Sequence, residues 1–278
     1  MDKQSDLIGD HPSSPSIFSE WLDCNDVPPT QKKRHRELSE KTTIDKIKLI
    51  DWLSRKLVEH HHNEDRIQRL KDKYKEIGFK QYAENHRKLP RADRTKKGNA
   101  TEIILSEYLE GCKGKPLIKH FKLRYNPNVD QSMKGDDVLM IDLYQDKGVD
   151  KVKVFLGEAK FRKKSTKITV KTITKSLRKT KKPLSYSFLI DELGKSTSTK
   201  NVADALDKFV IDEIKSNGNL VYTGFLLSDA DVFDVVNNCL SSNNPTMIFI
   251  SLGVKNPVQL INRAFKRAEE LVLNPAII

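Results

Sequence analysis

The chain has 278 residues, of which 32% are charged and 37% apolar, and it carries a net charge of +12. That length gives one or two domains with a proper core, and no apolar run reaches membrane-span length or forms a signal core, so a soluble protein without a membrane role is expected. Cys24, Cys112 and Cys239 are odd in number and far apart, which excludes a zinc pattern or disulfide framework and points to a reducing, cytoplasmic setting.

Residues 1–40 contain Pro12, Pro15, Pro28, Pro29 and several serines, the composition of a flexible tail. Within it, Ile17, Phe18, Trp21 and Leu22 could form a short docking helix. The run Lys32-Lys33-Arg34-His35-Arg36 could touch nucleic acid or a partner, although such runs are more often solvated. Residues 41–95 form a helical region. Ile44, Ile47, Ile50, Leu53 and Leu57 repeat at helical spacing, and Ile67, Leu70, Tyr74 and Ile77 do so again before Gly78. His60-His61-His62 reads as a polar joint between the two helices, since consecutive histidines cannot all face one ion. From residue 96 onward the pattern becomes mixed α/β. Asn99 reads as an N-cap with Glu102 completing a capping box, and Ile104, Leu105, Tyr108 and Leu109 form the buried stripe of the helix. Leu117 to Tyr125 is a strand candidate.

The stretch from Gly135 to Lys164 carries the chemistry. It reads as a β-hairpin, with one strand near Asp136–Tyr144, a turn centred on Lys147-Gly148, and a second strand near Lys151–Phe161. That centring sets Asp137 opposite Glu158, and Lys160 shares their face, with Leu139, Ile141 and Leu143 against Val152, Val154 and Leu156. Two carboxylates and an ammonium at the mouth of an apolar hairpin are costly unless something neutralises them. A divalent cation would do so: Asp137, Glu158 and the Ala159 carbonyl form an oxygen set suited to Mg²⁺, or to Mn²⁺ in its place. Glu102 or Glu107, from the preceding helix, could add a carboxylate, and a one-residue slip would bring in Asp136. Lys160 could orient or deprotonate an attacking water, or offset phosphate charge. The plain alternative is a structural ion pair between Glu158 and Lys160.

Residues 151–182 hold 13 Lys or Arg and a single acid, Glu158, while the rest of the chain is balanced. Arg162, Lys163, Lys164, Lys167, Lys171 and Lys175 therefore read as a phosphate track for nucleic acid. Ser165 to Lys182 is read as a helix with Val170, Ile173 and Leu177 inward. Ala203 to Lys215 reads as one amphipathic helix. Asn219–Leu227 and Thr246–Gly253 are central buried strands joined through a helix near Ala230–Leu240, and Asn256-Pro257 opens a last helix.

The order of elements is that of the PD-(D/E)xK nuclease core. Lys97-Gly98-Asn99-Ala100-Thr101-Glu102, Lys134-Gly135-Asp136-Asp137-Val138 and Gly157-Glu158-Ala159-Lys160 resemble the nuclease subunit of bacterial Hachiman-type antiphage systems, and the related subunit of the Abp antiphage pair. The resemblance runs from about Glu40 to the C-terminus. It implies a restriction-endonuclease-like mixed sheet flanked by helices, an α-helical N-terminal extension, and a nuclease domain over residues 96–278. It further implies metal-dependent DNA cleavage and a superfamily 2 helicase as partner in a heterodimer. By the same resemblance Asp137 and Glu158 match metal ligands, Lys160 the catalytic lysine and Glu102 the acid of the first helix. Two alternatives stay open: a non-catalytic DNA-binding or assembly subunit, and a stand-alone restriction-type nuclease.

Overall fold

The computed structural model describes residues 2–76, 88–164, 166–229 and 232–273, leaving aside the side chains of Glu64, Leu70, Lys71, Tyr74, Lys75 and Glu76. Helices α1 (Gln4–Ile8) and α2 (Ile17–Trp21) lead into strands β1 (Leu22–Thr30) and β2 (Lys33–Glu40). Helices α3 (Lys46–His61), α4 (Glu64–Glu76) and α5 (Asp93–Lys113) follow, then the short strand β3 (Ile118–Lys119) and a 3₁₀ turn, Lys122–Tyr125. Strands β4 (Val138–Asp146) and β5 (Val149–Arg162) form the hairpin. The remainder is α6 (Lys167–Ser176), α7 (Tyr186–Gly194), α8 (Lys200–Leu206), α9 (Ile211–Ser216), β6 (Leu220–Asp229), α10 (Phe233–Cys239), β7 (Met247–Val254) and α11 (Pro257–Leu273).

The strands form one seven-stranded mixed sheet in the order β1-β2-β7-β6-β5-β4-β3. The inner four, β2, β7, β6 and β5, are parallel, and both ends close antiparallel. The hairpin has the expected register: Val138 faces Gly157 and Leu139 faces Leu156. Lys147 and Gly148 have φ of 50° and 77°, the positive values that a two-residue type I′ loop requires at both central positions.

Both faces of the sheet are buried. Met140, Phe155, Val221, Phe225, Ile248 and Ile250 pack beneath α3, α5 and α11. Leu139, Ile141, Val154, Leu156, Tyr222 and Phe249 pack beneath α6 to α10. Successive strand residues point to opposite faces, so each strand feeds both layers. The helix α5 lies so close to the hairpin that a Cβ on Gly157 would stand 2.8 Å from Leu105 Cδ2 and 2.9 Å from Val138 Cβ. Gly157→Ala is therefore expected to destabilise the fold by about 1–3 kcal/mol through overpacking, read as a lower denaturant midpoint at unchanged slope.

Residues 2–40 are not a flexible tail. They supply β1 and β2, and β2 pairs in parallel with β7, His35 facing Phe249. The edge position of β1 tolerates Pro28 and Pro29, which cannot donate to a ladder. The basic run from Lys33 to Arg36 is consumed internally. Arg36, 1% exposed, donates to both oxygens of Asp26 at 2.7 Å and to Gly9 O at 3.0 Å. His35 meets Ser251 Oγ at 2.8 Å, and Lys33 Nζ donates to Asn237 O at 2.7 Å. Two strands thus precede the helical region expected over residues 41–95, which forms as α3 and α4. The short helix α2 forms as expected, with Phe18 and Trp21 buried.

Other expectations shift. Asp45 caps α3 by accepting from Ile47 N and Lys48 N, which leaves Ile47 81% exposed and the inward stripe to Leu49, Leu53 and Leu57. Side chains of Leu70 and Tyr74, with Ile77 and Gly78, lie outside the described residues. The three histidines are core residues: His60 joins Glu107, and His61 donates to Leu57 O and accepts from Asn99 Nδ2. Asn99 accordingly sits inside α5, which begins at Asp93. Residues 203–215 split into α8 and α9, and the strand expected at 117–125 is reduced to β3.

Candidate active site

The β4–β5 ladder ends at Val138 and Gly157, and the next residues on one face are Asp137 and Glu158. Lys160 Nζ stands between them, 3.2 Å from Asp137 Oδ2 and 2.6 Å from Glu158 Oε1. Asp137 Oδ2 also accepts from Ala159 N at 3.0 Å. Glu158 Oε2 accepts from Ser176 Oγ of α6 at 2.6 Å and faces Lys181 Nζ at 3.5 Å. From the 3₁₀ turn, Lys122 Nζ lies 2.9 Å from Glu102 Oε2 of α5 and 3.7 Å from Asp137 Oδ1. Three acids and three lysines from five segments thus converge beside the carboxyl end of β5.

Burial alone would raise the Glu158 carboxyl, but hydrogen bonds from Lys160 and Ser176 outweigh it and hold the group below the usual carboxylate range. Burial would lower Lys160, yet Asp137 and Glu158 drive it above the ordinary lysine value. An amine held protonated is a charge-bearing group, so of the three roles read for Lys160 this environment favours offsetting negative charge over accepting a proton. Burial pushes Glu102 up to about 7, with Lys122 opposing the shift and Asp137 adding to it.

The structure separates the other carboxylates. Asp136 is buried and turned away from the cluster: its Oδ2 accepts from Ser185 N at 3.0 Å, tying the start of α7 to the hairpin mouth. Glu107 pairs with His60 and Lys56 of α3 and with Lys119 of β3, and the hydrogen bond from His60 together with the two ammonium groups holds it far below its usual range despite burial. Glu102 alone of the α5 acids reaches Asp137, through Lys122.

The donor set can be tested for a cation. Val154 N donates to Asn219 O on the β6 side, and strand residues alternate their backbone groups between edges. Ala159 therefore turns both N–H and C=O toward the β4 side, where Asp137 sits. Glu102 Oε2, though 2.9 Å from Lys122, makes no aligned hydrogen bond among the described residues. A notch of about 20 Å³ between Glu102, Lys122 and Asp137 has room for a water-sized sphere. Among the described residues no three His, Cys, Asp or Glu side chains converge as a closed metal cage. Two carboxylates and a carbonyl are instead the sparse oxygen set that suits Mg²⁺, which keeps sites for water and phosphate. The residues fit such an ion, on condition that the Lys160 ammonium yields the position between the carboxylates.

Arg162, Lys163, Lys164, Lys167, Lys171 and Lys175 are all exposed and, among the described residues, none pairs with an acid. The helix expected after the hairpin is present as α6, with Val170 and Ile173 inward and Lys167, Lys171 and Lys175 outward. No helix among the described residues is long and apolar enough to cross a membrane.

The HamA family model matches residues 15–268. A curated relative, Hachiman protein HamA of Bacillus cereus, is 36% identical over 280 residues, covering 98% of this chain and 98% of that protein. The chain belongs to the HamA family. It is thus a component of the Hachiman antiphage type that its motifs resemble. The family match takes in β1 and β2 as well as the hairpin, so the N-terminal strands belong to what HamA proteins share. Reading the sequence missed Lys122, Ser176 and Lys181 at the cluster. Lys181 lies in the basic run and Lys122 in the expected strand, and no local pattern marks either as a neighbour of a carboxylate.

Proposed function

We propose that this protein is a metal-dependent DNA endonuclease, the effector of an antiphage system, working with a superfamily 2 helicase on a restriction-endonuclease-like sheet. The observation that carries the reading is the contact of Asp137 and Glu158 with one ammonium at 3.2 and 2.6 Å, which sets both carboxylates within reach of one ion. Family membership supports the antiphage role and the helicase partner. In this reading Asp137, Glu158 and the Ala159 carbonyl hold Mg²⁺. The ion, when bound, supplies Lewis-acid charge and a water of lowered pKa. The chain's own groups do the rest. Lys160 bears positive charge against the phosphate, Ser176 and Lys181 hold Glu158 in place, and the exposed lysines of residues 162–175 grip the backbone. Lysines contact phosphates and do not read base edges, so cutting is largely independent of sequence.

Incubation of the purified protein with supercoiled plasmid, alone and with the helicase, tests this. Nicking is expected with Mg²⁺, none with chelator, and steep weakening of DNA binding with salt. DNA binding without any metal-dependent nicking under either condition would leave a binding subunit only. One feature favours that second reading: each of the three acids already faces a lysine, so their charge is offset without a metal.

A further inference from the structure

On the Asp137 side of the cluster, exposed apolar side chains gather into a patch. Tyr125 ends the 3₁₀ turn that begins at Lys122, and residues three apart in such a turn share a face. Phe188 lies in the first turn of α7, just past Ser185, whose N–H is held by Asp136. The Tyr125 and Phe188 rings meet edge to face with centroids 5.3 Å apart, and His120 meets Phe188 edge to face at 5.4 Å. Tyr125 is 43% exposed, Phe188 40%, and Leu184, next to Ser185 in the chain, 76%. The Glu158 side of the same cluster leads instead to Lys181 and the basic segment.

A partner that fits both flanks must carry both anionic groups and flat apolar faces. Nucleic acid with unpaired bases has that combination: phosphates for the lysines and ring faces for the aromatics. A duplex has the phosphates but hides its base faces in the stack. We propose that Tyr125 and Phe188 form a stacking platform for unpaired nucleobases, so that the site accepts single-stranded DNA or a frayed duplex end. The proposal rests on the nuclease reading above and adds the strand state of its substrate.

Fluorescence anisotropy without metal, where no cleavage occurs, separates the possibilities. Full-length protein is titrated onto an oligothymidylate and onto a blunt duplex of equal length. Tyr125→Leu and Phe188→Leu keep apolar bulk and remove the flat ring, and Phe188→Tyr keeps the ring. Each leucine variant is expected to bind the single strand about tenfold more weakly, and the pair about 100-fold, as for loss of base–aromatic stacking. Duplex affinity should stay within about twofold, and Phe188→Tyr should bind as wild type. Equal losses on both DNAs would make the rings mere packing, and unchanged single-strand binding would assign the patch to a protein contact; either result overturns the inference while sparing the nuclease. Wild-type protein that binds neither DNA would overturn the inference together with the reading beneath it.

Discussion

Glu158→Gln is expected to lower Mg²⁺-dependent plasmid cleavage by about 10²–10³-fold, the scale for removing one charge-stabilising group from a reaction centre. Glutamine keeps the shape of the side chain and its contact with Ser176, but it removes the negative charge that faces Lys160 at 2.6 Å and a cation in its place. Lys160→Met should cost about as much, because among the described residues the ammonium is the one group touching both carboxylates. Neither change reaches the exposed lysines at 163–175, so DNA affinity in the absence of metal should hold. Initial nicking rates, with melting temperature as the folding control, measure this. Rates within about twofold of wild type would remove the cluster from the chemistry.

Acid should unfold the protein through its buried histidines. Burial pushes His35 and His61 down to about 4 and His62 down to about 3. Neighbouring positive groups add to the burial effect at His35 and His62. A base whose folded pKa lies below its unfolded value stabilises the fold fully above the unfolded value, near 6.5. That stability drains as pH falls from there toward the folded values. At about pH 4.5 each histidine has lost on the order of 2–3 kcal/mol, and together the three approach the whole stability of a typical domain. Geometry agrees. His61 Nε2 accepts from Asn99 Nδ2 at 3.0 Å while Nδ1 donates to Leu57 O, so protonation would oppose two donors. Both ring nitrogens of His62 lack partners among the described residues. Tryptophan fluorescence against pH should show a cooperative transition between about pH 6 and 4, and His62→Phe should move its midpoint to lower pH. A midpoint below about pH 3.5, unmoved by that substitution, would contradict it.

The β4–β5 hairpin was legible because its signals are local. Lys147-Gly148 fixes the turn, alternating Leu, Ile and Val fix the face, and together they put Asp137 across from Glu158. The two central strands and α11 were legible from their apolar runs for the same reason. The N-terminal strands were not, because the inward positions of β2 carry Arg34 and Arg36, matched by Asp2 O and Asp26 in place of apolar contacts. The partner of β2 is β7, more than 200 residues away, which no window of sequence can supply. The start of α5 escaped because its first turns bury Thr95 and Asn99, polar residues that hydrogen-bond to Asp130 O and His61. At the site, the acid–acid–lysine set could be read from the hairpin. Lys122, Ser176 and Lys181 could not, since each arrives from a separate segment once the tertiary fold is made.

Manganese binding followed by electron paramagnetic resonance tests the central claim most directly, since it asks only whether Asp137 and Glu158 hold an ion. Wild-type protein is expected to bind one Mn²⁺, with Asp137→Asn and Glu158→Gln each weakening it by at least about tenfold and Asp136→Asn leaving it unchanged. Binding that is absent from wild type, or equal in all four proteins, would mean that the two carboxylates share nothing but the Lys160 ammonium.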